Sequence, residues 1–78
     1  MCMRLAYVLI NCDIGKETAV LEELRRTQGV VEAHLLYGVY DVIAKVAGSS
    51  DEELRTIVVE RIRKIPGVRH TLTMPVVE

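Results

Sequence analysis

The apolar residues of the chain alternate along four segments and recur at helical spacing in two others. The alternating segments, which we interpret as strands, are Met3 to Cys12, Val30 to Tyr37, Tyr40 to Ala47 and Val68 to Val77. The first is apolar on both faces, a pattern that predicts a strand covered on both sides. The second and third are separated by Gly38-Val39 alone, which predicts a hairpin with a two-residue turn and a positive φ at the glycine.

The two segments with helical spacing are predicted helices. One runs from about Lys16 to Thr27, and Gly29 suits the position just past its C terminus. The other begins at Ser50, an N-cap residue with Glu53 three positions later, which together form a capping box. Its predicted buried stripe consists of Leu54, Ile57, Val58, Arg61, Ile62 and Ile65. Pro66-Gly67 ends this helix.

The order of elements is therefore βαββαβ in a single domain that takes up residues 1–78. Right-handed crossovers applied to this order predict a four-stranded antiparallel sheet with the spatial order 4-1-3-2 and both helices on one face. This is the α+β class, the ferredoxin-like α/β plait. The opposite face would carry a large apolar patch, so we expect it to be an interface that pairs with its own copy in a two-fold dimer.

Composition and charge limit the classes of function that the chain can have. The 10 basic and 11 acidic residues give a net charge of −1 and a pI of about 6.1, which argues against direct binding of nucleic acid. No apolar run approaches the ~20 residues that cross a bilayer, so no membrane association is expected. Cys2 and Cys12 stand ten positions apart in one extended segment and cannot bridge each other, which indicates reduced thiols in a cytoplasmic protein.

Catalytic chemistry has little support in the sequence. There is no phosphate-binding glycine loop, no paired carboxylates and no metal-ligand spacing, so we predict no catalytic residue, metal or cofactor. His34 and His70 both fall on strands, and we interpret them as packing or interface residues.

Two local features could bind a small molecule. The turn around Gly38, Tyr40 and Asp41 offers backbone groups and a carboxylate acceptor for an amino group, and Thr71 and Thr73 place two hydroxyls on one face of the last strand. From the residues alone, an aromatic turn and threonines with ordinary β propensity explain both features more simply.

A resemblance to a known family favours the ligand-binding interpretation of these two features. Gly38-Val39-Tyr40-Asp41 followed by Lys45-Val46, and Ile65-Pro66-Gly67-Val68 followed by Thr71 and Thr73, resemble the two signature stretches of the effector-binding (RAM) domain of Lrp/AsnC regulators. The resemblance extends over essentially the whole chain. Val39 departs from it, since relatives often have a polar or acidic residue there.

The resemblance implies sheet-paired dimers that associate further, commonly into octamers, and an amino acid or related small effector bound between dimers. Carried over by position, its ligand-binding residues are Gly38, Tyr40, Asp41, Thr71 and Thr73. Family members usually carry an N-terminal helix-turn-helix domain, whereas the first strand here begins by Met3. We therefore expect a stand-alone, non-enzymatic effector-binding and oligomerisation module that could modulate full-length Lrp/AsnC regulators.

Two alternatives stay open at this point. One is a small dimeric ferredoxin-like enzyme of the monooxygenase or isomerase type, which would use a cavity between sheet and helices together with His34 or His70. The other is an ACT-like allosteric module, which shares the βαββαβ order but fits the two motifs less well.

Overall fold

The strands and helices follow one another in the predicted order. The structure, a computed structural model, describes residues 3–77. Its elements are β1 Arg4–Cys12, α1 Glu17–Arg25, β2 Val30–Leu35, β3 Val42–Gly48, α2 Asp51–Thr56 with a π-helical continuation Ile57–Ile62, and β4 Val68–Pro75. The sheet order is β2-β3-β1-β4 and every neighbouring pair is antiparallel. The ferredoxin-like prediction is confirmed.

The core lies between one face of the sheet and the two helices. Ala6, Val8 and Ile10 of β1 are fully buried on this face, because alternate residues of a strand point to the same side. The buried residues that meet them from β3 and the helices include Val42, Ala44, Val46, Val20, Leu24, Ile57 and Ile62. This core joins all the helical segments to the centre of the sheet.

The helices leave the other face of the sheet uncovered, and we call it the open face. Its centre consists of two cross-strand rows: Tyr7 lies between Lys45 and Met74, and Leu9 lies between Ile43 and Leu72. Tyr7, Leu72 and Met74 keep 37%, 42% and 44% of their surface exposed. The predicted apolar character of this face is thus present in the structure.

The connection between β2 and β3 differs from the prediction. The strands end at Leu35 and begin again at Val42, so residues 36–41 form a six-residue loop and the predicted two-residue turn is wrong. The reason is a long-range contact: the Asp41 N–H donates to the Ile10 carbonyl of β1 at 3.0 Å, while the Asp41 carbonyl accepts from Leu36 N–H at 2.8 Å. Gly38 does adopt the predicted positive φ, +142°.

The second helix begins as predicted, but its capping box and its buried stripe differ in part from the prediction. Ser50 Oγ accepts the Glu53 N–H at 3.1 Å, which confirms the N-cap. The Glu53 carboxylate accepts from the backbone and hydroxyl of Ser49 rather than from Ser50, and these hydrogen bonds lower the pKa of Glu53. Arg61, predicted in the buried stripe, is only half-buried, because its guanidinium reaches the Gln28 carbonyl at 2.8 Å.

Two glycines with positive φ offer a matched test of the packing. A Cβ at Gly29 (φ +102°) would fall 2.5 Å from Ile57 Cδ1, whereas a Cβ at Gly15 (φ +86°) would meet nothing within 4 Å. Gly15→Ala should cost about 1–2 kcal/mol from backbone strain alone. Gly29→Ala should cost about 2–4 kcal/mol, since overpacking against Ile57 adds to the strain. Urea denaturation of the two variants measures both, and equal losses would contradict the contact with Ile57.

A candidate ligand groove beside the edge strand

A groove of about 400 Å³ lies between β4 and the second helix. It exists because the helices pack over the other three strands: α1 contacts β2 and β3, and α2 contacts β3 and β1. The helix side of the edge strand β4 therefore borders open space. Apolar side chains from β1, β4 and the helix line the groove: Ala6, Leu54, Val58, Val59 and Pro75.

Polar and charged groups complete the lining. Thr71 and Thr73 belong to the groove, and they share a side of β4 because their pairing partners in β1 are the buried Ile10 and Val8. The predicted placement of the two hydroxyls on one face is confirmed. Asp51, Arg55 and Arg63 also border the groove. An apolar lining with a few polar groups that converge on it is typical of a small-molecule site.

Asp41 lies elsewhere, at the end of β1. Its Oδ2 accepts the backbone N–H of Cys12 at 2.8 Å, where the β1–β4 pairing shifts register between Asn11 and Cys12. Asn11 Nδ2 in turn donates to the Val39 carbonyl at 2.8 Å. Together with the bond from the Asp41 N–H to the Ile10 carbonyl, three hydrogen bonds thus attach the loop 36–41 to the end of β1, and the Asp41 carboxylate has a structural role.

Cys12 shares this end of the sheet. Its side chain is buried and carries a free thiol. Burial, followed by the negative charges of Asp41, Glu17 and Asp13, raises the pKa of the Cys12 thiol to about 11. The thiol is therefore protonated at neutral pH and is a poor nucleophile. Cys2, the other predicted reduced thiol, lies outside the described residues.

The five candidate ligand residues do not gather at one point in this protomer. Thr71 and Thr73 share the groove, whereas Asp41 lines a separate cavity of about 240 Å³ together with Asn11, Arg69 and His70. Gly38 and Tyr40 lie in the loop and border neither cavity.

A third cavity, of about 270 Å³, lies between these two and connects them by shared lining residues. It shares Thr71 and Arg63 with the groove, and Arg69 and His70 with the cavity beside Asp41. Asp41 therefore lies in a series of adjoining cavities that leads around the start of β4 to Thr71 and Thr73.

Sequence reasoning missed the arginines of the groove. On the sequence alone Arg55 and Arg63 are not among the site candidates, yet they border the site together with Val59. The usable signal was their spacing: positions 55, 59 and 63 follow one another at four-residue intervals, which places them along one side of a helix. That pattern shows a shared side but does not show that a groove lies beside it.

The histidines lie away from the groove. His34 pairs with Ile43 and His70 with Asn11, positions that belong to the open face, and neither lines the groove between β4 and the second helix. His34 Nε2 lies 3.0 Å from Glu32 Oε1. The enzyme alternative therefore lacks its proposed histidine in that cavity.

Residues 3–77 hold no group of three or more His, Cys, Asp or Glu side chains that could bind a metal ion. Within the same residues, no helix combines the length and the apolar character needed to cross a bilayer.

Comparison with known proteins establishes the fold and then the family. A solved domain of nearly the same length shares the fold: the crystal structure of FFRP-DM1 superposes with a TM-score of 0.90 and 36% identity, covering 95% of this chain and 99% of that one. Residues 5–78 match the Lrp/AsnC ligand binding domain. The chain belongs to the Lrp/AsnC family, which confirms the resemblance seen in its motifs.

Two curated relatives place this domain in larger proteins. An uncharacterized HTH-type transcriptional regulator of Pyrococcus horikoshii is 39% identical over 72 residues, which cover 88% of this chain and 48% of that protein. A homocitrate synthase of Saccharolobus islandicus is 38% identical over 69 residues, 87% of this chain but only 15% of the enzyme. The chain thus spans about half the length of the regulator it matches.

The structural role of Asp41 can be tested apart from any ligand. Asp41→Ala leaves the Cys12 N–H without its charged acceptor and should lower the free energy of unfolding by about 1–3 kcal/mol. Asp41→Asn keeps an oxygen that can accept the same hydrogen bond, so its loss should be distinctly smaller. Urea denaturation at neutral pH compares the two. Equal stability of both variants with the unmodified chain would show that the hydrogen bond does not stabilise the fold.

Proposed function

We propose that this chain is a cytoplasmic, non-enzymatic effector-binding and assembly module related to Lrp/AsnC regulators, and that it takes an amino acid or related small molecule. The observation that carries the proposal is the groove beside β4, where two hydroxyls of the family motif border an apolar lining. A small ligand gains most from such a site when its carbon chain meets the apolar side chains and its polar end meets the hydroxyls.

The loop residues Gly38, Tyr40 and Asp41 are the second half of the proposed site. The loop exposes apolar side chains to an unusual degree: Tyr37 is fully exposed, and Val39 and Leu36 keep 85% and 39% of their surface. Such a tip is suited to contact with another protomer. We place the effector where the loop of one dimer approaches another dimer, so that binding favours one state of assembly through its higher affinity for that state.

The open face supports self-association. Its central side chains, Tyr7, Leu9, Leu72 and Met74, form an apolar surface, and Lys45, in the same row as Tyr7, has its Nζ 3.8 Å from Glu32 Oε2. Because this ion pair carries both signs of charge, a second copy related by a two-fold axis can meet the face without an excess of like charge. Sheet-on-sheet packing of two copies is the proposed dimer, with octamers and contacts to full-length regulators as further steps of assembly.

The two kinds of relative agree with a sensing role. A domain similar to this one takes up about half of a transcriptional regulator and a small part of a homocitrate synthase. Recognition of a small molecule would be useful in both settings, whereas DNA binding or the enzyme's catalysis would each be useful in only one. This supports a ligand-binding module that other domains can use.

Removal of the hydroxyls should weaken the ligand. Isothermal titration calorimetry against the twenty amino acids identifies a ligand, and Thr71→Ala should then lower its affinity by about threefold to tenfold, the effect of one neutral hydrogen bond. Thr18→Ala, an exposed threonine of α1, serves as the matched control and should leave the affinity unchanged. The ligand-binding part of the proposal fails if neither an amino acid nor a related small carboxylic acid gives heat, or if Thr71→Ala and Thr18→Ala behave alike.

A charge on the open face should dissociate the dimer. Leu72→Glu buries a carboxylate at the proposed interface, twice per dimer, and should shift the sedimenting species from dimer or larger to monomer. Ile14→Glu adds the same charge at a 95% exposed position between β1 and α1 and should leave the assembly intact. Sedimentation velocity at micromolar concentration measures both variants. Sedimentation of the unmodified chain as a monomer at this concentration would exclude the proposed dimer.

A further inference from the structure

The charges around the groove are unbalanced. Arg55 and Arg63 border it, and within residues 3–77 neither guanidinium makes an ion pair or a side-chain hydrogen bond. The carboxylate that borders the groove, Asp51, lies 3.6 Å from Arg4 Nε. The groove therefore presents two cations without a carboxylate of their own, in a chain whose net charge is −1.

The positive charge continues beyond the groove. Arg63 also lines the third cavity with Arg69, His70 and Thr71. Arg69 Nε has Asp13 Oδ1 at 3.6 Å, so its charge is partly compensated. Arg63 is thus the cation common to both cavities, and Thr71 lines both of them with it.

We propose that the ligand of this groove is a small carboxylic acid with net negative charge, such as a keto acid, rather than a zwitterionic amino acid. The inference rests on the proposed function and specifies the charge of its ligand. In this arrangement the carbon chain lies on Leu54, Val58 and Pro75, and the carboxylate accepts hydrogen bonds from Arg63 and Arg55.

The ammonium group of a zwitterion is disfavoured in this groove. An ammonium in the groove would lie near two cations, and the acidic side chain bordering the groove, Asp51, is already engaged with Arg4. The Thr71 and Thr73 hydroxyls can donate to a keto oxygen as well as accept from an ammonium, so they favour neither ligand over the other. Replacement of the ammonium by a ketone removes the like charge and keeps the carbon skeleton.

The test uses ligands that share one skeleton and differ in charge. Calorimetry compares leucine, its keto acid and leucine amide, and repeats the comparison with glutamate against glutamine, which differ by one negative charge. The expected order of affinity is keto acid above leucine above leucine amide, and glutamate above glutamine. Added salt should reduce the differences, because both arginines are exposed.

Variants assign the effect to Arg63. Arg63→Gln should weaken the keto acid about tenfold and should abolish its advantage over leucine, since a charged hydrogen bond is lost. Arg63→Lys keeps the charge but not the two-pronged geometry, and should give an intermediate affinity. Lys64→Gln removes the neighbouring charge outside the groove and is the matched control. Circular dichroism and sedimentation check that each variant folds and assembles normally.

The outcomes separate this inference from the proposed function. A keto acid that binds more tightly than leucine, with an advantage that Arg63→Gln removes and Lys64→Gln does not, supports the inference. A neutral or zwitterionic ligand that binds at least as tightly, with an affinity indifferent to Arg63, overturns it and leaves the effector-binding proposal standing. The absence of heat with every ligand of both series and with the twenty amino acids overturns both.

Discussion

Strand β1 is apolar on both faces and therefore needs cover from water on both. The rest of the structure depends on how each of these faces is covered. Ala6, Val8 and Ile10 are fully buried beneath the helices, while Leu5, Tyr7 and Leu9 on the other side of the same strand lie on the open face. One chain of this length supplies helices for one face only. Burial within the protomer therefore stabilises the fold, and the remaining apolar surface of β1 favours association with another molecule.

The position of the helices creates the groove. Both pack toward β2, β3 and β1, so the edge strand β4 keeps Thr71 and Thr73 beside open space instead of a helix. The π-helical segment Ile57–Ile62 runs along this space and contributes Val58 and Val59 to its wall. A sheet with a helix over every strand would have a larger core but no such site.

Asp41 shows how a motif residue can serve the fold and a site together. Its Oδ2 holds the Cys12 N–H where the β1–β4 register shifts, and its backbone N–H bonds to Ile10. These contacts position the loop 36–41, whose apolar tip is the proposed contact surface. The same carboxylate lies in a cavity with Arg69 and His70. Asp41 therefore has a structural role and also belongs to the series of cavities that leads to the groove.

The sequence by itself determined the order of the elements, the two-faced character of β1, the N-cap at Ser50 and the family, because periodicity, capping and motifs are local properties. The tertiary structure decided what depends on distant pairs. The loop is longer than predicted because Asp41 bonds to Ile10, and Arg61 leaves the buried stripe because it reaches Gln28. The groove, too, could be recognised only in the folded chain. In the sequence Arg55 and Arg63 look like solvated helix residues, and only the fold places β4 beside them. The charge of a site is the sum over groups that the packed chain brings together.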